Sequence, residues 1–327
     1  MRRTELTLTL AACALWAMLA ARGPAQEATK NGVAHYVRFQ AGDVTAYGVL
    51  EKDRVRQIDG DLFGKWRPTE RTYAVSQVKL LVPSARPTQV LALAGNYKSH
   101  LGGSDHVTTV TTTTKVTTNV KTGETTFDSK TTSDTETPGV VPEKFKSPQL
   151  FFKSPSSLAA IGESIVIPPG TNDVHFEAEL VIVIGKKATN VTTADAPKHI
   201  FGVTCGNDVS ARDWQKADVQ WWRAKGCDTF GPVGPVIATG LDYDNLRLRL
   251  RVNGKVLQDE STSQLIHSVP QIVSFVSRHI TLHPGDLIFT GTPGRTSAIK
   301  PGDRVEVEIE GIGTLTNPVT AALGASN

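Results

Sequence analysis

The segment Glu177-Ala-Glu179-Leu-Val-Ile-Val-Ile184-Gly185 restricts the fold more than any other stretch. Leu180 to Ile184 is an unbroken aliphatic, mostly β-branched run closed by a glycine. Such a run suits a strand buried on both faces. Residues two apart in a strand project from one face, so Glu177 and Glu179 stand side by side at its mouth. Carboxylates that close repel, and desolvation makes the repulsion worse. A cation must therefore meet them. A hard divalent ion prefers oxygen ligands and would do so. Arg or Lys at a sheet edge would do so too.

A third oxygen donor is available in Asp208, which also follows an apolar run, Ile200 to Thr204, and a glycine. Three carboxylates without Cys or His favour Mg²⁺, Mn²⁺ or Ca²⁺ over Zn²⁺.

The rest of the chain predicts a mainly β protein of α+β type. Residues 26–87 read as a small β-rich N-terminal domain, with short strand-like runs split by turn residues. Residues 88–322 read as the catalytic domain. Within it the Thr-rich insert 103–141 offers either a hairpin or a flexible lid, because Thr favours strands but the segment carries little apolar surface. Ala194 to His199 suggests one short helical turn. Leu265, Ile266, Val269, Ile272, Val273 and Val276 predict an amphipathic helix over 262–279, capped by Ser261 or Thr262.

The N-terminus, MRRTE followed by LTLTLAACALWAMLAA, reads as a secretory signal over residues 1–25. Export to a periplasmic or extracellular space follows as an expectation, with no stable membrane partner after cleavage. The full chain carries 35 Lys and Arg against 32 Asp and Glu. Loss of Arg2, Arg3, Arg22 and Glu5 leaves it near neutral, so charge gives no case for nucleic-acid binding. Cys205 and Cys227 remain, either as one disulfide or as two buried thiols.

Seven strings in order then carry a resemblance: AGNYKSH, LFFKSPSSL, HFEAELVIVIG, GVTCGNDVSARDWQ, KGCDTFGPVGP, VNGKVLQDESTSQLI and LHPGDLIFTGTPG. Over about residues 88–320 the chain resembles the fumarylacetoacetate hydrolase family, in its short acylpyruvate hydrolase-like form. The resemblance implies a mixed β-sandwich roll, paired as a homodimer, with Mg²⁺ or a similar ion on Glu177, Glu179 and Asp208. It implies that Lys225 of KGCDTF meets negative charge developing on the substrate and that Lys153 of LFFKSP acts comparably. Gly291 and Thr292 of TGTPG would offer N–H groups and a hydroxyl to a substrate carboxylate, in the manner of a loop nest. Read on their own, TGTPG is a tight turn and Lys225 a solvated charge. Arg212 and Gln215 would orient substrate or brace Asp208, although Arg212 could simply pair with its neighbour Asp213.

His100, matching the family's N-Y-x-x-H pattern, is the candidate general base. Many short relatives place a Glu three residues after this His, but position 103 here is Gly. Asp105, Glu124 and Glu143 are candidates to replace it. The resemblance implies metal-assisted hydrolysis of a C–C bond in a small acidic diketone, an acylpyruvate or fumarylpyruvate. Oxaloacetate decarboxylation or 2-oxo acid isomerisation on the same site is the alternative, as is a non-catalytic exported metal-binding protein.

Overall fold

The computed structural model describes residues 32–101, 108–118, 125–135 and 141–322. The signal expected over residues 1–25 lies outside them. Among the described residues no helix is long and apolar enough to cross a membrane.

The chain opens with antiparallel strands β1 (Ala34–Ala41), β2 (Val44–Glu51), β3 (Arg54–Gly60) and β4 (Trp66–Ala74), then the short β5 (Lys79–Leu80). Strand β6 (Val90–Ala94) leads into a single helical turn, α1 (Lys98–Leu101). Strands β7 (Thr108–Thr118) and β8 (Thr125–Thr135) form a separate antiparallel pair in the Thr-rich region. Next come β9 (Gln149–Lys153), β10 (Leu158–Ala159), β11 (Ile165–Ile167), β12 (Val174–His175), β13 (Ala178–Ile184) and β14 (Ile200–Asn207). Strand β15 (Ser210–Ala211) runs directly into α2 (Arg212–Ala217), and α3 (Trp222–Gly226) precedes β16 (Gly231–Thr239). The chain closes with β17 (Arg247–Val252), β18 (Lys255–Ser261), α4 (Val269–Ser277), β19 (Leu287–Phe289), β20 (Arg304–Ile309) and β21 (Gly313–Ala321).

One large sheet runs β4-β3-β2-β1-β16-β14-β13-β19-β6-β9, and a five-stranded sheet runs β11-β21-β20-β17-β18. The N-terminal strands continue the large sheet, because β1 pairs with β16. Strand β13 lies inside that sheet, between β14 and β19. Leu180, Ile182 and Ile184 pack into the core shared with Leu248, Leu250 and Val307 of the second sheet. Val181 and Val183 pack on the opposite face with Val233, Leu287 and Phe289. Strand β13 is thus buried on both faces, as its composition requires. Each such aliphatic side chain contributes about 1.5–3 kcal/mol on burial. Gly206 stands opposite Glu179, and a Cβ there would meet Val181 and the Phe289 ring at 2.4 and 2.6 Å. Only glycine lets β13 and β14 approach at that point.

Two sequence expectations need correction. The helix expected over 262–279 is shorter: Thr262–Gln264 is a 3₁₀ turn, and α4 begins at Val269. Pro270 lacks an N–H and is tolerated only in a helix's first turn, so no helix runs through it from 262. Ser268, not Ser261 or Thr262, caps α4, in a reciprocal box with Gln271, while Ser261 caps the 3₁₀ turn. The thiols of Cys205 and Cys227 are both free.

Candidate active site

The mouth of β13 places Glu177 and Glu179 at one end of the buried strand. Asn207 Oδ1 accepts from the Glu177 N–H at 2.8 Å, and the Asp208 N–H donates to the Glu177 carbonyl at 2.8 Å. These two bonds tie the end of β14 to the start of β13. As a result, ligand oxygens of Glu177, Glu179 and Asp208 lie within 4.8 Å of one another. All three carboxylates are buried, Glu179 and Asp208 completely.

Three cations surround them. Lys225 Nζ bridges Glu177 Oε2 and Asp208 Oδ2 at 2.7 Å each. Lys153 Nζ donates to Asp208 Oδ1 at 2.6 Å and to the Lys225 carbonyl. Arg212 Nη2 donates to Glu177 Oε1 at 2.5 Å, and its Nη1 to Gln215 Oε1 at 2.7 Å.

Glu179 is treated differently. Its Oε2 accepts only the Gly291 N–H, at 2.6 Å, and its Oε1 is buried without a partner. Burial first, and then the charges of Asp208 and Glu177, push the Glu179 carboxyl well above the usual range. Burial also pushes Glu177 upward, but the adjacent Lys225 and Arg212 outweigh it and hold Glu177 well below that range. Lys153 is pushed down, chiefly by burial, whereas Asp208 and Glu177 overcome burial and raise Lys225.

This donor set fits a divalent ion. An orphaned buried oxygen and a carboxyl biased toward its protonated form mark the point where positive charge is short. A hard ion would supply it through three oxygens, and Glu177, Glu179 and Asp208 are the residues that would hold it.

Glu177, Arg212, Gln215, Lys225, Thr292 and His100 all line one cavity of roughly 270 Å³. Phe151, Trp221, Leu101, Lys144 and Phe145 complete its rim. Two expected substrate contacts do not reach this space. Lys153 is 2% exposed and sits beneath the carboxylates, bound to Asp208. The Gly291 N–H, expected to meet a substrate carboxylate, is committed to Glu179 instead. Gly291 is needed for another reason: its φ is +98°, and a Cβ there would meet Asn96 at 2.8 Å. Thr292 faces the cavity, with Oγ1 accepting from Gln258 Nε2 at 2.9 Å.

The Arg212–Asp213 pair considered from sequence does not form. Asp213 accepts instead from Thr171 Oγ1 and from the N–H of Trp214, both at 2.8 Å or less. Adjacent residues at a helix start diverge, so Arg212 is free to turn inward.

Among the described residues, His100 is held by backbone and not by an acid. His100 Nδ1 lies 2.6 Å from the Gly294 carbonyl. A carbonyl only accepts, so Nδ1 carries a proton, and in the neutral imidazole the lone pair is then on Nε2. The neighbouring Ser99 Oγ accepts from the Gly294 N–H at 3.1 Å, which clamps α1 to the TGTPG loop. Glu143 bonds Lys146 at 2.5 Å on the surface, and Asp105 and Glu124 lie outside the described residues.

Asn207, Gln258, His175 and Thr296 are the residues sequence reasoning passed over. Asn207 and His175 stand inside the quoted strings, next to Asp208 and two residues before Glu177. Thr296 carries no local signal.

Residues 113–320 match the family described as Fumarylacetoacetate (FAA) hydrolase C-terminal, and residues 34–83 match Rv2993c-like, N-terminal. Over 175 residues the sequence is 51% identical to Protein Rv2993c of Mycobacterium tuberculosis, covering 53% of this chain and 66% of that protein. It is 39% identical over 186 residues to the human protein named oxaloacetate tautomerase FAHD2A, mitochondrial, covering 53% of this chain and 59% of that protein. The crystal structure of 2-hydroxyhepta-2,4-diene-1,7-dioate isomerase from Mycobacterium marinum superposes with a TM-score of 0.72 at 36% identity, covering 89% of this chain and 99% of that one.

Proposed function

Because the chain belongs to the fumarylacetoacetate hydrolase family, we propose that it is a divalent-metal-dependent enzyme that moves a proton on a small 2-oxo acid, as a keto–enol tautomerase or double-bond isomerase. The observation that carries this reading is His100: an imidazole held at Nδ1 by a carbonyl, lining the same cavity as Glu177 and Lys225. One base suffices to take a proton from carbon and return it, whereas hydrolysis must also position a water. The names of the tautomerase and isomerase relatives agree with this reading.

A divalent ion on Glu177, Glu179 and Asp208, with Mg²⁺ and Mn²⁺ the first choices, would supply Lewis-acid polarisation of the substrate's oxygens. The chain's own residues do the rest. His100 Nε2 takes the proton from the carbon beside the ketone and gives it back at the other end of the enol. Negative charge developing on oxygen faces the Lys225 ammonium, two of whose three N–H groups are already used. Arg212, Gln215 and the Thr292 hydroxyl bind the substrate's polar end. Phe151 and Trp221 screen the site from water, and the small cavity limits the substrate to a few carbons.

Hydrolysis of an acylpyruvate is the second reading, favoured by the matched family's own name. There His100 would take its proton from water, and the same lysine would face the departing enolate. The test is to supply oxaloacetate and an acylpyruvate separately with Mg²⁺ or Mn²⁺. Metal-dependent enol–keto conversion without cleavage supports the first reading. Cleavage products support the second. Loss of neither substrate, in a preparation that binds metal, overturns both.

A further inference from the structure

The functional reading uses Arg212 but leaves unexplained the polar chain behind it. Arg212 Nη2 lies 2.8 Å from Thr296 Oγ1, Thr296 Oγ1 lies 3.0 Å from His175 Nδ1, and His175 Nε2 lies 2.8 Å from Asp173 Oδ1. The directions are set by the ends. A guanidinium N–H only donates and a carboxylate only accepts. Thr296 Oγ therefore accepts from Arg212 and His175 Nε2–H donates to Asp173, and with the neutral imidazole the Thr296 hydroxyl donates to His175 Nδ1.

The backbone is built to hold this chain. Strand β12 pairs with β15, matching Val174 to Ala211, and the Arg212 N–H donates to the Asp173 carbonyl at 2.7 Å. On its other side the Ile299 N–H donates to the Val174 carbonyl at 2.8 Å, and His175 bridges Ala298. Segments 173–175, 210–212 and 296–299 are thereby locked side by side. The Arg212 and His175 side chains are 15% and 18% exposed, so the bonds that meet at Thr296 are directional restraints, while Asp173 closes the chain at the surface, 43% exposed.

We propose that Asp173, His175 and Thr296 form a positioning relay that fixes the Arg212 guanidinium to receive a substrate carboxylate beside the metal ligands. A divalent ion draws on the oxygens of Glu177, the third partner of Arg212. The restraints that do not depend on that carboxylate are Gln215 and Thr296. The relay thus keeps Arg212 aimed when the metal is bound, and it sets affinity for the carboxylate without touching the substrate. The inference rests on the 2-oxo acid reading of the site.

The test uses the full chain, Mn²⁺ alone and then oxalate as a small dicarboxylate probe of the Mn²⁺-loaded protein, both followed by calorimetry. Thr296→Val and His175→Phe should each weaken oxalate binding by about tenfold, the scale of losing a hydrogen bond that orients a charged group. Mn²⁺ affinity should stay within about threefold, below the range for disturbing a ligand's support. His175→Gln, whose amide can accept from Thr296 and donate to Asp173, should restore most of the oxalate affinity. If His175→Phe does not fold, Thr296→Val and His175→Gln carry the test. Unchanged oxalate affinity in Thr296→Val overturns the relay, as does a parallel loss of Mn²⁺ and oxalate, which would make the chain a structural brace only. A wild-type protein that binds Mn²⁺ but not oxalate overturns the 2-oxo acid reading, and the relay with it.

Discussion

The floor and the rim of the cavity are built on different terms. The floor is Glu177, with the buried Glu179 and Asp208 clustered against it; Lys153, Lys225 and Arg212 grip Glu177 and Asp208. The rim is α1, the turn Glu143–Phe145 and the aromatic residues Phe151 and Trp221, more open and held by fewer bonds. On the floor, losing Lys225, Arg212 or Asp208 disturbs a buried ion pair. On the rim, Phe151 and Trp221 shape the entrance, while His100 of α1 is the proposed base. The comparison teaches that the floor holds the charges, and that the rim brings both the base and the entrance to them.

The sharpest way to break this comparison is to remove Asp208, which serves two lysines at once. Asp208→Ala should destabilise the metal-free protein by about 3–5 kcal/mol in urea unfolding, because both ammonium groups lose a buried partner. A loss under about 1 kcal/mol would mean that the floor is not the rigid element. His100→Ala, on the rim side, should lower turnover by about 10²–10⁴-fold while leaving Mn²⁺ affinity unchanged. A parallel fall in metal binding would merge the two regions that the account separates. Glu179→Gln imitates the protonated acid, so the fold should persist while Mn²⁺ affinity drops at least as far as the ~10–100-fold seen for supporting residues. A stable variant that binds Mn²⁺ normally would remove Glu179 from the site.

A smaller effect sharpens the difference between the neighbouring glutamates. In the metal-free protein the Glu179 carboxyl keeps its proton to a higher pH than it does unfolded. The folded state then binds more protons between those two values, so Glu179's stabilising contribution is present below the ordinary glutamate range and is lost as pH rises through the raised value. Glu177 has the opposite sign: its contribution is present above the ordinary glutamate range and is lost as pH falls from that range toward its lowered value. Thermal unfolding followed upward from the ordinary glutamate range should show the metal-free protein losing stability with rising pH, and Glu179→Gln should flatten that slope. A slope unchanged in Glu179→Gln would assign it elsewhere.

Much of the floor was legible in the sequence because its constraint is local. Two glutamates at period two, heading an aliphatic run, must share a face wherever the strand lies. Lys225 and Arg212 were legible as cations near the site but not in their partners. Arg212 was read as orienting substrate or bracing Asp208, with adjacency to Asp213 as the plain alternative, whereas the start of α2 turns those two apart and Arg212 meets Glu177. The restraint on His100 left no trace, because a backbone carbonyl has no residue type; of the acids considered for that place, Glu143 bonds Lys146 instead, and Asp105 and Glu124 lie outside the described residues. Gly291 was read as a substrate donor from the resemblance of TGTPG, and only the fold shows that Glu179 claims its N–H. The start of α4 was misplaced because apolar spacing continued across Pro270, where the backbone cannot.

The most direct measurement is a calorimetric titration of the metal-free full chain with Mn²⁺ in buffers of differing ionisation enthalpy, on both sides of neutrality. The account expects one ion per chain, bound with release of a proton and more tightly as pH rises, with both features lost in Glu179→Gln. Binding without proton release and undiminished in that variant, or no binding at all, would contradict it.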